Sequence, residues 1–163
     1  MKKNSANILI TGGCGFIGSN FVKKILNKNY NIYIIDNLST GYIENLNKII
    51  RLSKKKINFY KSDLKNFSKT KRIFEKNKFK YIFHFAAFSN VDESLKNPQK
   101  FIKNNILSTK NLVQLAIKYK VKYFIFSSSA SVYGNIKFKK NIKEEYKAVP
   151  INPYGKSKLR CEN

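Results

Sequence analysis

The chain has 163 residues, 42% hydrophobic and 14% aromatic against 26% charged, which suits one packed domain, is too short for two, and excludes a disordered chain. No apolar run approaches the roughly 20 residues of a membrane span, the apolar stretch after Lys2 and Lys3 is too short for a secretory signal, and two cysteines with one histidine leave neither a disulfide framework nor an ordinary zinc site. The net charge of +24 rests on 30 Lys and 3 Arg spread along the chain, with Lys54 to Lys56 the longest run; it argues for diffuse attraction to polyanions and against a specific nucleic-acid site. The chain therefore reads as soluble and cytoplasmic, with no membrane partner.

In chain order, the first strand is Ala6–Thr11, and it runs into TGGCGFIGS, where Gly12, Gly13, Gly15 and Gly18 supply four of the chain's seven glycines. A side chain there would block the tight turn, the approach of a pyrophosphate to backbone N–H groups, and close helix–strand packing. A plain strand-to-helix turn is the alternative. Cys14 sits in this loop as a small filler rather than a reactive thiol. A helix over 16–28 carries Ile17, Phe21 and Ile25 on one face. The second strand, 31–36, closes on Asp36. Its carboxylate either accepts the adenosine ribose hydroxyls and repels a 2′-phosphate, favouring NAD over NADP, or caps the turn in DNLSTG. Asp63 follows the third strand, 57–60, and either lies near an adenine or caps the helix over 67–78. The fourth strand, 81–85, contains His84 within FHFAA, where it reads as a satisfied core histidine rather than a base.

A helix over 98–120 places Ile102, Ile106, Val113 and Ile117 at helical spacing, and the fifth strand is 122–127. SSSAS, Ser127 to Ser131, leaves its carboxyl end, where ligands sit in open α/β sheets. A hydroxyl there either bonds a substrate oxygen or caps backbone in a serine-rich turn. Residues 135–149 read as a long polar surface loop. Tyrosine and lysine four apart share a helix face, and the ammonium favours phenolate. With ten tyrosines and 30 lysines, that spacing alone occurs as often as chance would place it. It occurs at Tyr133 with Lys137 and at Tyr154 with Lys158, and context favours the second: Asn152 and Pro153 before Tyr154 suit a cap and a first helical turn, whereas Tyr133 precedes Gly134 in a strand-exit loop. Alternating strands and helices, with strands apolar almost throughout, give the α/β class: a parallel, doubly wound, Rossmann-type sheet in a single domain.

Taken together, TGGCGFIGS, DNLSTG, HFAAFSNVDES, Asn104 with Asn105, FSSSASVYG and NPYGKSK resemble the extended short-chain dehydrogenase/reductase (NAD-dependent epimerase/dehydratase) family, in order and over essentially the whole chain. SSSASVYG is similar to the signature of its nucleotide-sugar 4-epimerases, whereas its 4,6-dehydratases typically place Thr-Asp-Glu where Ser129, Ala130 and Ser131 stand. The resemblance implies that Gly12, Gly15, Phe16, Ile17, Gly18, Asp36, Asn37, Asp63, Leu64, Phe85, Ala86, Ala87 and Asn104 contact NAD. It implies that Ser127, Tyr154 and Lys158 flank the nicotinamide ribose, and that Ser129, Tyr154 and Lys158 are catalytic. The implied reaction is epimerisation of a UDP-hexose, UDP-glucose or UDP-galactose, at carbon 4 through a transient 4-keto sugar, with NAD retained because no net redox occurs.

One departure is Ser89, which stands where these epimerases usually carry a lysine near the pyrophosphate. The family also continues for roughly as long again beyond Asn163. The resemblance therefore implies an NAD-binding domain over 1–163 without the last strands or the substrate lobe, acting as a homodimer or with a complementing carboxyl-terminal half. Two other classes stay open: a catalytically silent NAD-binding module, and a basic protein that keeps the fold for polyanions. Against the last stand Asp36, Tyr154 and Lys158, for which a polyanion binder has no use.

Overall fold

Residues 5–53, 55–136 and 141–163 are described by the structure, a computed structural model; Lys2, Lys3, Lys54 and Lys137 lie outside them. The strands are β1 (Ala6–Thr11), β2 (Tyr30–Asp36), β3 (Asn58–Lys61), β4 (Tyr81–His84) and β5 (Tyr123–Phe126). They form one five-stranded sheet in the order β3-β2-β1-β4-β5, and every pairing is parallel. The helices are α1 (Phe16–Ile25), α2 (Ile43–Ser53), α3 (Phe67–Lys76), α4 (Val91–Lys96), α5 (Pro98–Lys118) and α6 (Pro153–Glu162), with a 3₁₀ turn at Ala130–Val132. This is the Rossmann-type α/β fold expected from the sequence. The chain divides into two compact units: residues up to Ala86 with Ser108–Ser127, and Ala87–Leu107 with Ser128–Asn163.

In the first unit, alternate strand residues feed two cores, one on each face of the sheet. Leu9, Ile35 and Ile82 pack with Phe74, Phe79, Leu112 and Leu115 of α3, the connection after it and α5. Ile8, Ile10, Ile32 and Ile34 pack with Val22, Leu26 and Leu46 from the α1 and α2 side. Helices on both faces leave few polar positions in the central strands, which explains their largely apolar character, while β5 turns Tyr123 and Ile125 outward. Each fully buried aliphatic or aromatic side chain contributes about 1.5–3 kcal/mol relative to exposure. The register places Thr11 beside Ile35 and His84, Asp36 beside Lys61, and His84 beside Phe126, so the carboxyl ends of the strands gather at one edge.

The second unit holds α4, the first part of α5, the 3₁₀ turn and α6. Asn90 caps α4 by accepting from the Glu93 amide at 2.9 Å, and Phe88 packs on Phe101 with ring centroids 5.5 Å apart. The described residues of 135–149 contain no helix or strand, as expected of a surface loop. The five strands fall within a residue of their expected bounds, while α1, α3 and α5 end two or three residues early. The sequence reading does not anticipate α2, α4 or the 3₁₀ turn. Ile17 is also corrected: it is 60% exposed, and the buried residues of α1 are Gly18, Ser19 and Val22.

Candidate active site

The glycine loop of the first unit is shaped by two close approaches. Gly12 turns at φ +70°, and a Cβ there would lie 2.6 Å from the Ala86 nitrogen. A Cβ at Gly18 would lie 2.2 Å from the Gly12 carbonyl oxygen. Both positions thus require glycine, and the first turn of α1 is brought hard against the end of β1. Gly15 precedes α1 in extended backbone with no side-chain cap, and the first turn carries no acidic residue. The amides there keep the partial positive charge that favours an anion. Phe16 and Ile17 follow, 83% and 60% exposed.

Asp36 is buried, and its carboxylate accepts from the Cys14 amide at 2.9 Å and the Leu38 amide at 2.8 Å. The turn-capping role considered for it is therefore present, and the same carboxylate also holds the glycine loop. The Cys14 thiol also hydrogen-bonds this carboxylate. Asn37 donates to Asp63 Oδ2 at 3.3 Å. Asp63 accepts from the Lys65 amide at 2.9 Å, but it does not cap α3: that cap is Asn66, which accepts from the Lys69 amide at 3.0 Å. Leu64 is buried, and its carbonyl accepts from Asn111 Nδ2 at 2.9 Å. The Phe85 amide donates to the Thr11 carbonyl at 3.1 Å and the Ser127 amide to the His84 carbonyl at 3.1 Å.

His84 is the satisfied core histidine expected, with ring nitrogens 2.6 Å from Thr11 Oγ1 and 2.9 Å from Thr109 Oγ1. Cys14 is fully buried, and burial, with Asp36 and Glu44 adding to it, pushes its thiol up to about 12. A thiol so held stays protonated, which fits the filler role.

The second unit holds the tyrosine–lysine pair. Pro153 opens α6, and Asn152 caps it by accepting from the Gly155 amide at 2.7 Å. Tyr154 and Lys158 are both buried, and Lys158 Nζ lies 6.0 Å from the centre of the Tyr154 ring. Burial lowers the Lys158 ammonium to about 8, opposed by the nearby Cys161 and Glu162. Lys137, the partner of the alternative pair, lies outside the described residues, while Tyr133 closes the 3₁₀ turn. Ser129 caps that turn, accepting from the Ser131 amide at 3.2 Å, so the backbone-capping role is realised at this serine. The turn packs against α6.

Three further residues fix Tyr154; each lies in a motif named above, but the sequence assigns none of them that role. Ser94, fully buried in α4, accepts from the Tyr154 amide at 3.3 Å. Ser157 donates to the Tyr154 carbonyl at 2.7 Å. Asn105 donates to Ser157 Oγ at 2.9 Å and to the Phe88 carbonyl at 3.0 Å, and accepts from the Phe88 amide at 2.9 Å. Its neighbour Asn104, expected at NAD, is half-buried and donates to Asn105 Oδ1 at 3.1 Å. One signal was available: Asn105 follows Phe101 by four and precedes Leu112 by seven, which puts a polar residue on the buried stripe of α5.

Comparison with known proteins places this geometry. The family model described as GDP-mannose 4,6 dehydratase matches residues 9–163. The bifunctional UDP-glucose 4-epimerase and UDP-xylose 4-epimerase 1 of Pisum sativum is 37% identical, across 99% of this chain and 47% of that protein. The UDP-glucose 4-epimerase of Bacillus subtilis (strain 168) is 39% identical, across 95% of this chain and 45% of its own length. Among solved structures, the UDP-Glc/GlcNAc 4-epimerase from Campylobacter jejuni matches with a TM-score of 0.92 at 39% identity, covering 97% of this chain and 47% of that one. The Bifidobacterium longum UDP-glucose 4-epimerase in complex with NAD+ and UDP matches at 0.91 and 35% identity, covering 96% and 47%. The chain spans about half the length of the curated relatives it matches.

Proposed function

We propose that this chain, which belongs to the GDP-mannose 4,6-dehydratase family of extended short-chain dehydrogenases/reductases, binds NAD and carries the proton-transfer residues of a nucleotide-sugar 4-epimerase. The observation that carries the reading is the buried pair on α6, with the Lys158 ammonium 6.0 Å from the Tyr154 ring and lowered to about 8. A phenol that takes a proton from an alcohol near neutral pH needs a cation near its oxygen, and a lysine four residues on along the same helix is placed to supply one. At pH 7 an ammonium with this pKa is still mostly charged.

The first unit fits a dinucleotide. Gly12 and Gly18 admit no Cβ, and the first turn of α1 begins without a side-chain cap, so the amino end of that helix suits a pyrophosphate. Asp36 ends β2, where a carboxylate suits ribose hydroxyls, and its charge opposes a 2′-phosphate, so NAD is preferred to NADP. Asn37, Asp63, Leu64, Phe85, Ala86, Ala87 and Asn104 are assigned to the same cofactor, and Ser127 and Lys158 to the nicotinamide ribose.

When bound, NAD⁺ would supply the acceptor for the hydride of carbon 4 and the source from which that hydride is returned. Tyr154 Oη takes the proton of the 4-hydroxyl while Ser129 Oγ hydrogen-bonds the same oxygen, and the phenol returns that proton once the 4-keto sugar has presented its other face. Ser129, Ala130 and Ser131 favour epimerisation over dehydration, and a UDP-hexose is the proposed substrate. In a coupled assay with UDP-galactose and NAD, turnover is expected when the chain is mixed with the carboxyl-terminal half of a related epimerase. Loss of that turnover in Tyr154→Phe supports the assignment; turnover indifferent to Tyr154 overturns it. NADH titration of the chain alone checks the cofactor separately: tighter binding than NADPH is expected, with a narrower gap in Asp36→Ala.

A further inference from the structure

His84 is the chain's one histidine, 1% exposed at the carboxyl end of β4. Its imidazole bridges β1 and α5 through Thr11 and Thr109, and the rings of Phe124 and Phe126 stand 6.1 and 5.7 Å away. A buried polar bridge gives little net stability over a well-packed apolar side chain, since its groups must first leave water. Filling the space alone would be served by an apolar side chain. The reason for the polar choice lies at Thr11. Its carbonyl accepts from the Phe85 amide at 3.1 Å, its hydroxyl accepts from the Ala86 amide at 3.4 Å, and Gly12, the next residue, leaves no room for a Cβ against Ala86. A rotation about the Thr11 side chain would release the Ala86 amide from that hydroxyl. The imidazole, bonded to the same oxygen at 2.6 Å, opposes the rotation.

We propose that His84 is a positioning residue of the cofactor cleft. By fixing the Thr11 hydroxyl it sets the spacing between the Gly12 turn and the Phe85–Ala86 peptide. The functional half of this inference rests on the assignment of both segments to NAD above; the geometric half does not.

Amide hydrogen exchange on the chain without cofactor tests the geometry. His84→Phe keeps an aromatic ring, somewhat larger, and removes the hydrogen bonds to Thr11 and Thr109. Exchange about tenfold faster is expected at Ala86 and in the glycine loop, the size of one lost buried hydrogen bond, with β2 and β3 amides unchanged. His84→Gln, which keeps a donor and an acceptor, should restore most of the protection. Should His84→Phe fail to fold, Thr11→Val poses the same question at the other end of the bond. Unchanged protection at Ala86 in the folded variants overturns the proposal.

NADH affinity tests the function. His84→Phe and Thr11→Val should each weaken binding by about tenfold and together by no more than either alone, while Thr109→Val weakens it less. Additive losses, or an equal loss from Thr109→Val, would show a general packing effect instead. A wild-type chain that takes up no NADH would defeat the cofactor reading, and the exchange result would then decide the geometric claim by itself.

Discussion

Lys158 is 3% exposed and still titrates as a cation near neutral pH, held at about 8 where an exposed lysine sits at 10.5. The unfolded chain binds this proton more tightly than the folded one, so between pH 8 and 10.5 the unfolded state holds more protons and stability rises with pH. Below pH 8 both states are charged and the full cost of burying the ammonium, about 3 kcal/mol by linkage, opposes folding. Lys158→Met should therefore unfold at higher urea than wild type at pH 7.5, with the difference shrinking by pH 9.5. A variant no more stable at pH 7.5 would show that the ammonium's own contacts outweigh its desolvation. A cost carried in the fold at this residue is what a role in chemistry predicts. The pair itself was legible only through context, because Asn152 and Pro153 announce a helix start at Tyr154 while nothing comparable precedes Tyr133. Asn105 was not legible in the same way: its partners Phe88 and Ser157 are 17 and 52 residues away, and no local pattern brings them together.

At the scale of elements, α6 depends on its first turn. Asn152 satisfies the Gly155 amide at 2.7 Å and Ser94 the Tyr154 amide at 3.3 Å, so two of the helix's orphan donors are met by side chains from different parts of the second unit. Asn152→Ala should lower unfolding free energy by about 1 kcal/mol, and Asn152→Asp should recover it, as read by urea denaturation. An alanine variant as stable as wild type would mean that Ser94 alone sets the start of the helix. The same capping logic made α6 visible in the sequence, and the glycine cluster marked the start of α1. By contrast α2 carries Ile43, Leu46, Ile49 and Ile50 at helical spacing, yet Asn45, Asn47 and three isoleucines are mediocre helix formers. Its stability comes from burying Leu46 in the core on the α1 side, a tertiary term that propensity does not contain. The strands were easier to read because helices on both faces of the central ones keep their buried residues apolar on both sides.

For the molecule as a whole, charge is the property least tied to the proposed chemistry. Among the described residues Lys65, Lys71, Lys100 and Lys143 pair with carboxylates, and every one of these pairs is partly or largely exposed, which limits each to about 1 kcal/mol or less. With 33 Lys and Arg against nine Asp and Glu, most cations have no carboxylate to meet, and the surface must attract any polyanion in dilute salt. That attraction is driven by release of counterions from the polyanion, so it should fall steeply between roughly 50 and 200 mM salt and take no account of base sequence. Retention on immobilised duplex DNA of several sequences, eluted with a salt gradient, checks this: all should release the chain together, and early. A defined sequence holding the chain well above roughly 200 mM salt, where simple phosphate attraction fades, would require base contacts, and would shift the reading of this fold from nucleotide-sugar chemistry to nucleic-acid recognition. The buried Tyr154 and Lys158 argue against that outcome, because groups enclosed in the fold add nothing to a surface that works by exposed charge.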